Sequence, residues 1–134
     1  MKKQLFTTFI VTIVLSLLLT LSGCNRYRSR YNAVGFVHTN TAKNASMSFS
    51  SFEGTMVFQL KCDSENKSVG YSAKLDSGSV KVFYDCDGTK TELFSVGSGD
   101  DVDSVGGALK QGTVYIIVET SEKCKSGSFN FYLK

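Results

Sequence analysis

The sequence predicts an all-β fold: an antiparallel two-sheet sandwich, jelly-roll-like and of about eight strands, that follows an N-terminal hydrophobic signal helix. Short segments of alternating apolar and polar residues recur about every 10 to 15 residues after position 33, with turn residues between them. The chain has no proline, 12 glycines, 10 phenylalanines and 6 tyrosines, a composition typical of strands and turns. No window of this region has a clear helical period, so facing antiparallel sheets are expected.

The N-terminus has the three parts of a secretory signal. Lys2 and Lys3 precede an apolar run, residues 5–21, and the small residues Ser22 and Gly23 come before Cys24. This arrangement resembles the lipobox of bacterial lipoproteins, in which the cysteine receives a diacylglyceryl group and the preceding peptide is removed. The alternative is an uncleaved membrane helix, for which the run is barely long enough. Both interpretations place the rest of the chain outside the cytoplasm.

The lipobox resemblance divides the chain into three parts. Residues 1–23 are the predicted lipoprotein signal peptide, residues 24–32 a lipidated tether, and residues 33–134 the sandwich domain. Acylated Cys24 would insert into the membrane and hold the domain on its extracytoplasmic face. The tether is rich in arginine. It is either a segment that contacts anionic headgroups or a solvated spacer.

The predicted strands rest on the alternation of apolar and polar residues and on the turn sequences between them. Asp76-Ser77-Gly78 is a turn sequence, and Asp87-Gly88 indicates a hairpin because it tolerates positive φ. Glu53-Gly54 is expected to break the chain between two strands. The predicted strands are residues 33–39, 46–52, 55–61, 69–75, 80–84, 92–96, 114–119 and 129–133.

Three cysteines follow Cys24, and an oxidising compartment would permit one disulfide. If the strands ran strictly up and down, Cys62, Cys86 and Cys124 would all lie at one rim. A Cys62–Cys124 bond is the favoured pairing. A Cys86–Cys124 bond, a Cys62–Cys86 bond or free thiols remain alternatives.

Three segments carry a pattern of glycines and alternating hydrophobic residues: residues 71–88, 111–119 and 125–133. Together they resemble small extracytoplasmic β-sandwich domains, namely the bacterial pre-peptidase C-terminal type and the short lipoproteins common in Gram-positive bacteria. The resemblance implies an accessory or adhesion module, of a group in which some members bind calcium or sugars. It carries no catalytic residues.

One acidic stretch, residues 97–107, could offer carboxylates to a calcium ion. Asp100, Asp101 and Asp103 are the candidate ligands, since calcium takes six to eight oxygens. Their spacing does not match an EF-hand loop, and the alternative is a solvated loop rich in turn-forming residues. No other cofactor is expected.

Enzymatic and nucleic-acid functions find little support. His38 is the single histidine, so any histidine-dependent nucleophile would have to use it. Lys2 and Lys3 account for two of the 15 basic residues, and 12 acidic residues nearly balance the rest, so the domain offers no basic surface for nucleic acid. The sequence therefore predicts a non-catalytic, membrane-anchored module for binding or surface scaffolding. The alternative is a glycan- or calcium-binding accessory module of the cell envelope, with a glycan or an envelope protein as partner.

Overall fold

The computed structural model describes residues 27–134 and confirms an all-β antiparallel sandwich, with nine strands where about eight were predicted. The predicted signal peptide and Cys24 lie outside the described residues. Within residues 27–134, no helix is long and apolar enough to cross a membrane. The strands are β1 (Arg30–Val34), β2 (Val37–Asn40), β3 (Asn44–Cys62), β4 (Lys67–Ser77), β5 (Ser79–Asp85), β6 (Thr91–Gly97), β7 (Asp101–Leu109), β8 (Gly112–Thr120) and β9 (Cys124–Leu133).

The long strand β3 belongs to both layers of the sandwich. Residues 44–52 pair with β9, whereas residues 55–62 pair with β8, and β1 pairs across the junction between the two halves. At this junction Gly54 has a φ of 127°. Because of this bend, the end of β3 lies close to the residues that precede its beginning: the Lys61 amide donates a hydrogen bond to the Ala42 carbonyl at 2.7 Å. The predicted break at Gly54 is therefore a bend within one continuous strand.

The two layers share β3 and face each other. The first layer has the order β2–β3–β9–β4–β7, and the second layer has the order β3–β8–β5–β6. The side away from β3 is closed by contacts of β6 with β4 and β7. There the rings of Tyr71 and Phe94 stack with centroids 4.1 Å apart. The sheet is thus nearly closed on itself, which leaves few exposed strand edges.

The core lies between the layers and is formed by every second residue of the strands. Phe52, Phe58, Phe129 and Phe131 are at most 1% exposed. Burial of a side chain of this size contributes about 1.5–3 kcal/mol, so these four account for a large part of the hydrophobic stabilisation. Because strand side chains alternate, the intervening residues form the outer faces of the two layers.

Three other boundaries differ from the sequence prediction. Residues 30–32, expected in the tether, form the start of β1, and the predicted strand 33–39 is divided at Gly35, where φ is 61°. Most of the predicted loop 97–107 is the strand β7, which pairs with β4. The Asp87-Gly88 hairpin is confirmed, since β5 and β6 pair on either side of it.

The predicted Cys62–Cys124 disulfide is wrong, because Cys62, Cys86 and Cys124 are all free. Cys62 pairs with Gly112 at the beginning of β8, and Cys124 follows the end of β8. The strand between them spans on the order of 25 Å, whereas a disulfide needs Cα atoms within about 7 Å. The assumption of strictly up-and-down strands failed because β3 bends and β9 lies in the other layer.

Candidate functional site

The outer face of the first layer carries mainly polar side chains, many of them small, and is here named the hydroxyl face. The register of four strand pairs aligns its members in rows across β2, β3, β9, β4 and β7. One row ends in Asp103, a second contains Lys74 and ends in Asp101, and a third contains Tyr132. The hydroxyl face consists of Val37, Thr39, Asn44, Ser46, Ser48, Gly70, Ser72, Lys74, Asp101, Asp103, Val105, Ser128, Asn130 and Tyr132.

Tyr132 is the aromatic residue of this face, and it lies over a glycine. Gly70 is its partner on β4, and a Cβ at Gly70 would lie inside contact distance of the Tyr132 ring, 2.7 Å from its hydroxyl oxygen. The absence of a side chain at Gly70 therefore lets the ring lie across the neighbouring strand. Tyr132 is half-buried. A glycine inside a strand commonly marks such a close approach, which is the signal that sequence reasoning overlooked.

Hydroxyl and amide groups occupy the row next to this ring. The Asn130 amide donates to Ser72 Oγ at 3.5 Å, and the hydroxyls of Thr39 and Ser46 lie 2.6 Å apart. A small groove of about 90 Å³ lies between β4, β7 and β9. Its lining includes Ser72, Lys74, Asp101, Ser128 and Asn130. The face thus presents hydrogen-bond donors and acceptors, from both hydroxyl and amide groups, at the regular spacing of the strands.

The three candidate calcium ligands do not converge. The Asp100 carboxylate accepts a hydrogen bond from the Gly97 amide at 2.7 Å and closes the turn before β7. Asp101 and Asp103 lie on the hydroxyl face, where Asp101 is 3.5 Å from the Lys74 ammonium. Among the described residues, no three His, Cys, Asp or Glu side chains are placed to hold a metal ion. The geometry therefore adds no support to the calcium hypothesis.

His38 and Cys124, two further residues considered as functional candidates from the sequence, contact other residues of the domain. His38 is exposed on β2, and its ring lies 5.0 Å from that of Phe36. The Cys124 thiol is buried and donates weakly to the Ser79 carbonyl at 3.5 Å. Burial raises the pKa of Cys124, so this group stays a neutral thiol at physiological pH.

The outer face of the second layer carries a different cluster, formed by Tyr27, Asp85 and Tyr115. The Tyr27 hydroxyl donates to Asp85 Oδ2 at 2.6 Å, and the Tyr27 and Tyr115 rings are 5.3 Å apart. Asp85 Oδ1 also accepts hydrogen bonds from the Asp87 and Gly88 amides. Asp85 is 2% exposed. The segment before β1 is therefore packed on the domain from Tyr27 onward.

No protein-family model matches the chain, and no curated protein matches it either. Solved structures do match. One is the carbohydrate-binding module TmCBM61 in complex with β-1,4-galactotriose, with a TM-score of 0.51 and 14% identity over 79% of this chain and 87% of that chain. Another is PliG of Aeromonas hydrophila, a periplasmic inhibitor of g-type lysozyme, with a TM-score of 0.48 and 16% identity over 69% of this chain and 88% of that chain.

The pre-peptidase C-terminal domain of the Bacillus anthracis collagenase is also similar. Its TM-score is 0.45, with 12% identity over 72% of this chain and 91% of that chain. The β-sandwich that the predicted resemblance implied is the fold of the described residues. At these identities the comparisons establish a β-sandwich fold and do not transfer a function.

Proposed function

We propose that this chain is a non-catalytic binding module, tethered outside the cell membrane through acylated Cys24, that binds a neutral polysaccharide on its hydroxyl face. The observation that carries the proposal is the position of Tyr132. Its ring lies on the backbone of Gly70, beside the side chains of Ser72 and Asn130.

Sugar rings present both kinds of surface that this site offers. Their C–H groups pack on an aromatic ring, and their hydroxyls exchange hydrogen bonds with amides, hydroxyls and carboxylates. Lys74 lies beside Asp101, so the charges of the face are partly compensated. A polar face with little net charge favours a neutral ligand.

The dimensions of the face favour an extended ligand. The rows cross five strands, which at about 4.8 Å between neighbours gives a width on the order of 20 Å. The groove has a volume of about 90 Å³, well below the roughly 300–1,000 Å³ of a pocket that encloses a ligand, so it suits a chain lying along the surface better than a single enclosed sugar. TmCBM61 supports the proposal to this extent: a domain of similar fold was solved with a trisaccharide bound.

The test is a binding assay of the full chain in detergent against a panel of neutral polysaccharides. We expect at least one to bind, and Tyr132→Ala to weaken that binding about tenfold through lost ring contact. Tyr132→Phe should retain most of the affinity. Gly70→Ala should reduce affinity as well, because the new Cβ displaces the ring.

Tyr31→Ala is the matched control, since Tyr31 is an exposed tyrosine on β1 outside the hydroxyl face. It should bind as the unmodified chain does. The proposal fails if no polysaccharide of the panel binds. It also fails if the Tyr31 and Tyr132 variants lose affinity equally.

A further inference from the structure

The contacts of the N-terminal segment fix where the chain leaves the domain. Tyr27 lies on the outer face of the second layer, bonded to Asp85 and packed on Tyr115. Two residues later, Ser29 Oγ accepts a hydrogen bond from the Val57 amide at 2.9 Å. These contacts and the pairing of β1 with β3 hold the segment from Tyr27 onward against the second layer.

Chain length then limits how far this face can lie from Cys24. Three residue steps separate Cys24 from Tyr27. At no more than about 3.6 Å per residue, they span at most about 11 Å. A lipid on Cys24, which the proposed function assumes, therefore keeps Tyr27 close to the headgroups. The hydroxyl face lies on the other layer, and packed layers are about 10 Å apart.

The two outer faces also differ in charge, and the second layer, which lies nearer to Cys24, is the more basic. The register places Lys61 and Lys81 on the outer face of the second layer, where each lines a surface groove and is exposed. Arg28 and Arg30 of the N-terminal segment are exposed as well. Glu119, an acidic residue of this face, is paired with Lys90. The register also places the exposed Glu92 and the buried Asp85 on this face, so its exposed basic side chains still outnumber its exposed, unpaired acidic ones.

The hydroxyl face carries Lys74 against Asp101 and Asp103. Basic side chains near an anionic membrane surface contribute about 1 kcal/mol each. The second layer is therefore the more favourable of the two faces for contact with anionic headgroups.

We propose that the outer face of the second layer is a docking surface for anionic phospholipid headgroups. The Tyr27–Asp85 contact holds this face toward the membrane, and the hydroxyl face points away from it. The inference rests on acylation of Cys24 under the proposed function. It adds to the proposed function an orientation of the domain on the membrane. In this orientation a polysaccharide could reach the hydroxyl face while the acyl anchor stays inserted.

Energy transfer from dye-labelled protein to labelled headgroups tests the orientation. The acylated full chain is placed in vesicles of phosphatidylglycerol and phosphatidylcholine, in a Cys86→Ser background. A donor dye is attached through Thr113→Cys on the second layer or Asn130→Cys on the hydroxyl face; both positions are exposed. Transfer from position 113 should be about twofold higher, because the two layers are separated by about 10 Å.

Two comparisons separate docking from simple tethering. The difference between positions 113 and 130 should shrink in pure phosphatidylcholine vesicles and at raised salt. It should also shrink in Tyr27→Ala, whereas Tyr31→Ala should leave it unchanged. Equal or reversed transfer in protein whose acyl mass has been verified overturns this inference alone. Protein that lacks the acyl mass overturns the anchor of the proposed function and this inference with it.

Discussion

At Gly54 the chain turns from one layer into the other with a φ that side-chain-bearing residues rarely adopt. The space there is also closed. A Cβ would lie 2.7 Å from the Tyr31 Cα and inside contact distance of the Arg30 carbonyl oxygen, both backbone atoms of β1. The bend of β3 and its pairing with β1 therefore both require glycine at this position.

Gly54→Ala should lower the free energy of unfolding by about 2–4 kcal/mol, because backbone strain and steric overlap add. Gly112→Ala is the matched control, since Gly112 has a φ of 130° but nothing within 4 Å of the added Cβ. Denaturant unfolding of both variants measures the difference. If the two variants lose the same stability, the contact with β1 does not contribute to the requirement for glycine.

At the scale of the element, β7 shows how pairing with a neighbouring strand can form a strand from a sequence of low strand propensity. Its outward residues are Asp101, Asp103 and Val105, and Gly106 and Gly107 follow them. Composition alone indicated a loop, because aspartate and glycine are depleted in strands. The ladder with β4 supplies the hydrogen bonds that local propensity does not favour.

Amide hydrogen exchange should detect this strand. Amides of β7 that face β4 should exchange at least tenfold more slowly than those of the turn 63–66, because they are held by the ladder. Exchange of β7 at the rate of that turn would mean that the segment is the solvated loop that its composition indicates. Amides of β8, at the centre of the second layer, serve as the slow reference.

At the scale of the molecule, the sandwich has two outer faces of different character. One is built of hydroxyls, amides and a tyrosine, and the other receives the N-terminal segment. A short tether on one side and a binding face on the other would let a single small domain serve as an anchored receptor. This arrangement depends on Cys24 being the attachment point.

Expression in a bacterial host tests that attachment. The mature protein should lack residues 1–23, carry an acyl mass on Cys24 and fractionate with membranes. Cys24→Ser should remain unprocessed or be released to the medium, whereas Cys86→Ser should be processed normally. Mass spectrometry of the membrane fraction measures both. Identical processing and fractionation of Cys24→Ser and the unmodified chain would contradict the lipobox interpretation.

Local pattern was sufficient to predict the all-β fold class and most of the strands. The alternation of apolar and polar residues in β4, β5 and β9 follows directly from burial of one strand face, and it is visible in consecutive residues. The sequence likewise carries the prediction of an anchor at Cys24, because a signal of this kind is read from contiguous residues.

Tertiary structure alone decided which rim each cysteine occupies and which residues share a face. Cys62 and Cys124 are separated because β3 bends at Gly54 and passes between layers, which no local period encodes. Tyr132 meets Gly70, and Tyr27 meets Asp85, across long stretches of chain. Such contacts depend on strand order and register, which are fixed by the packing of the whole core rather than by neighbouring residues.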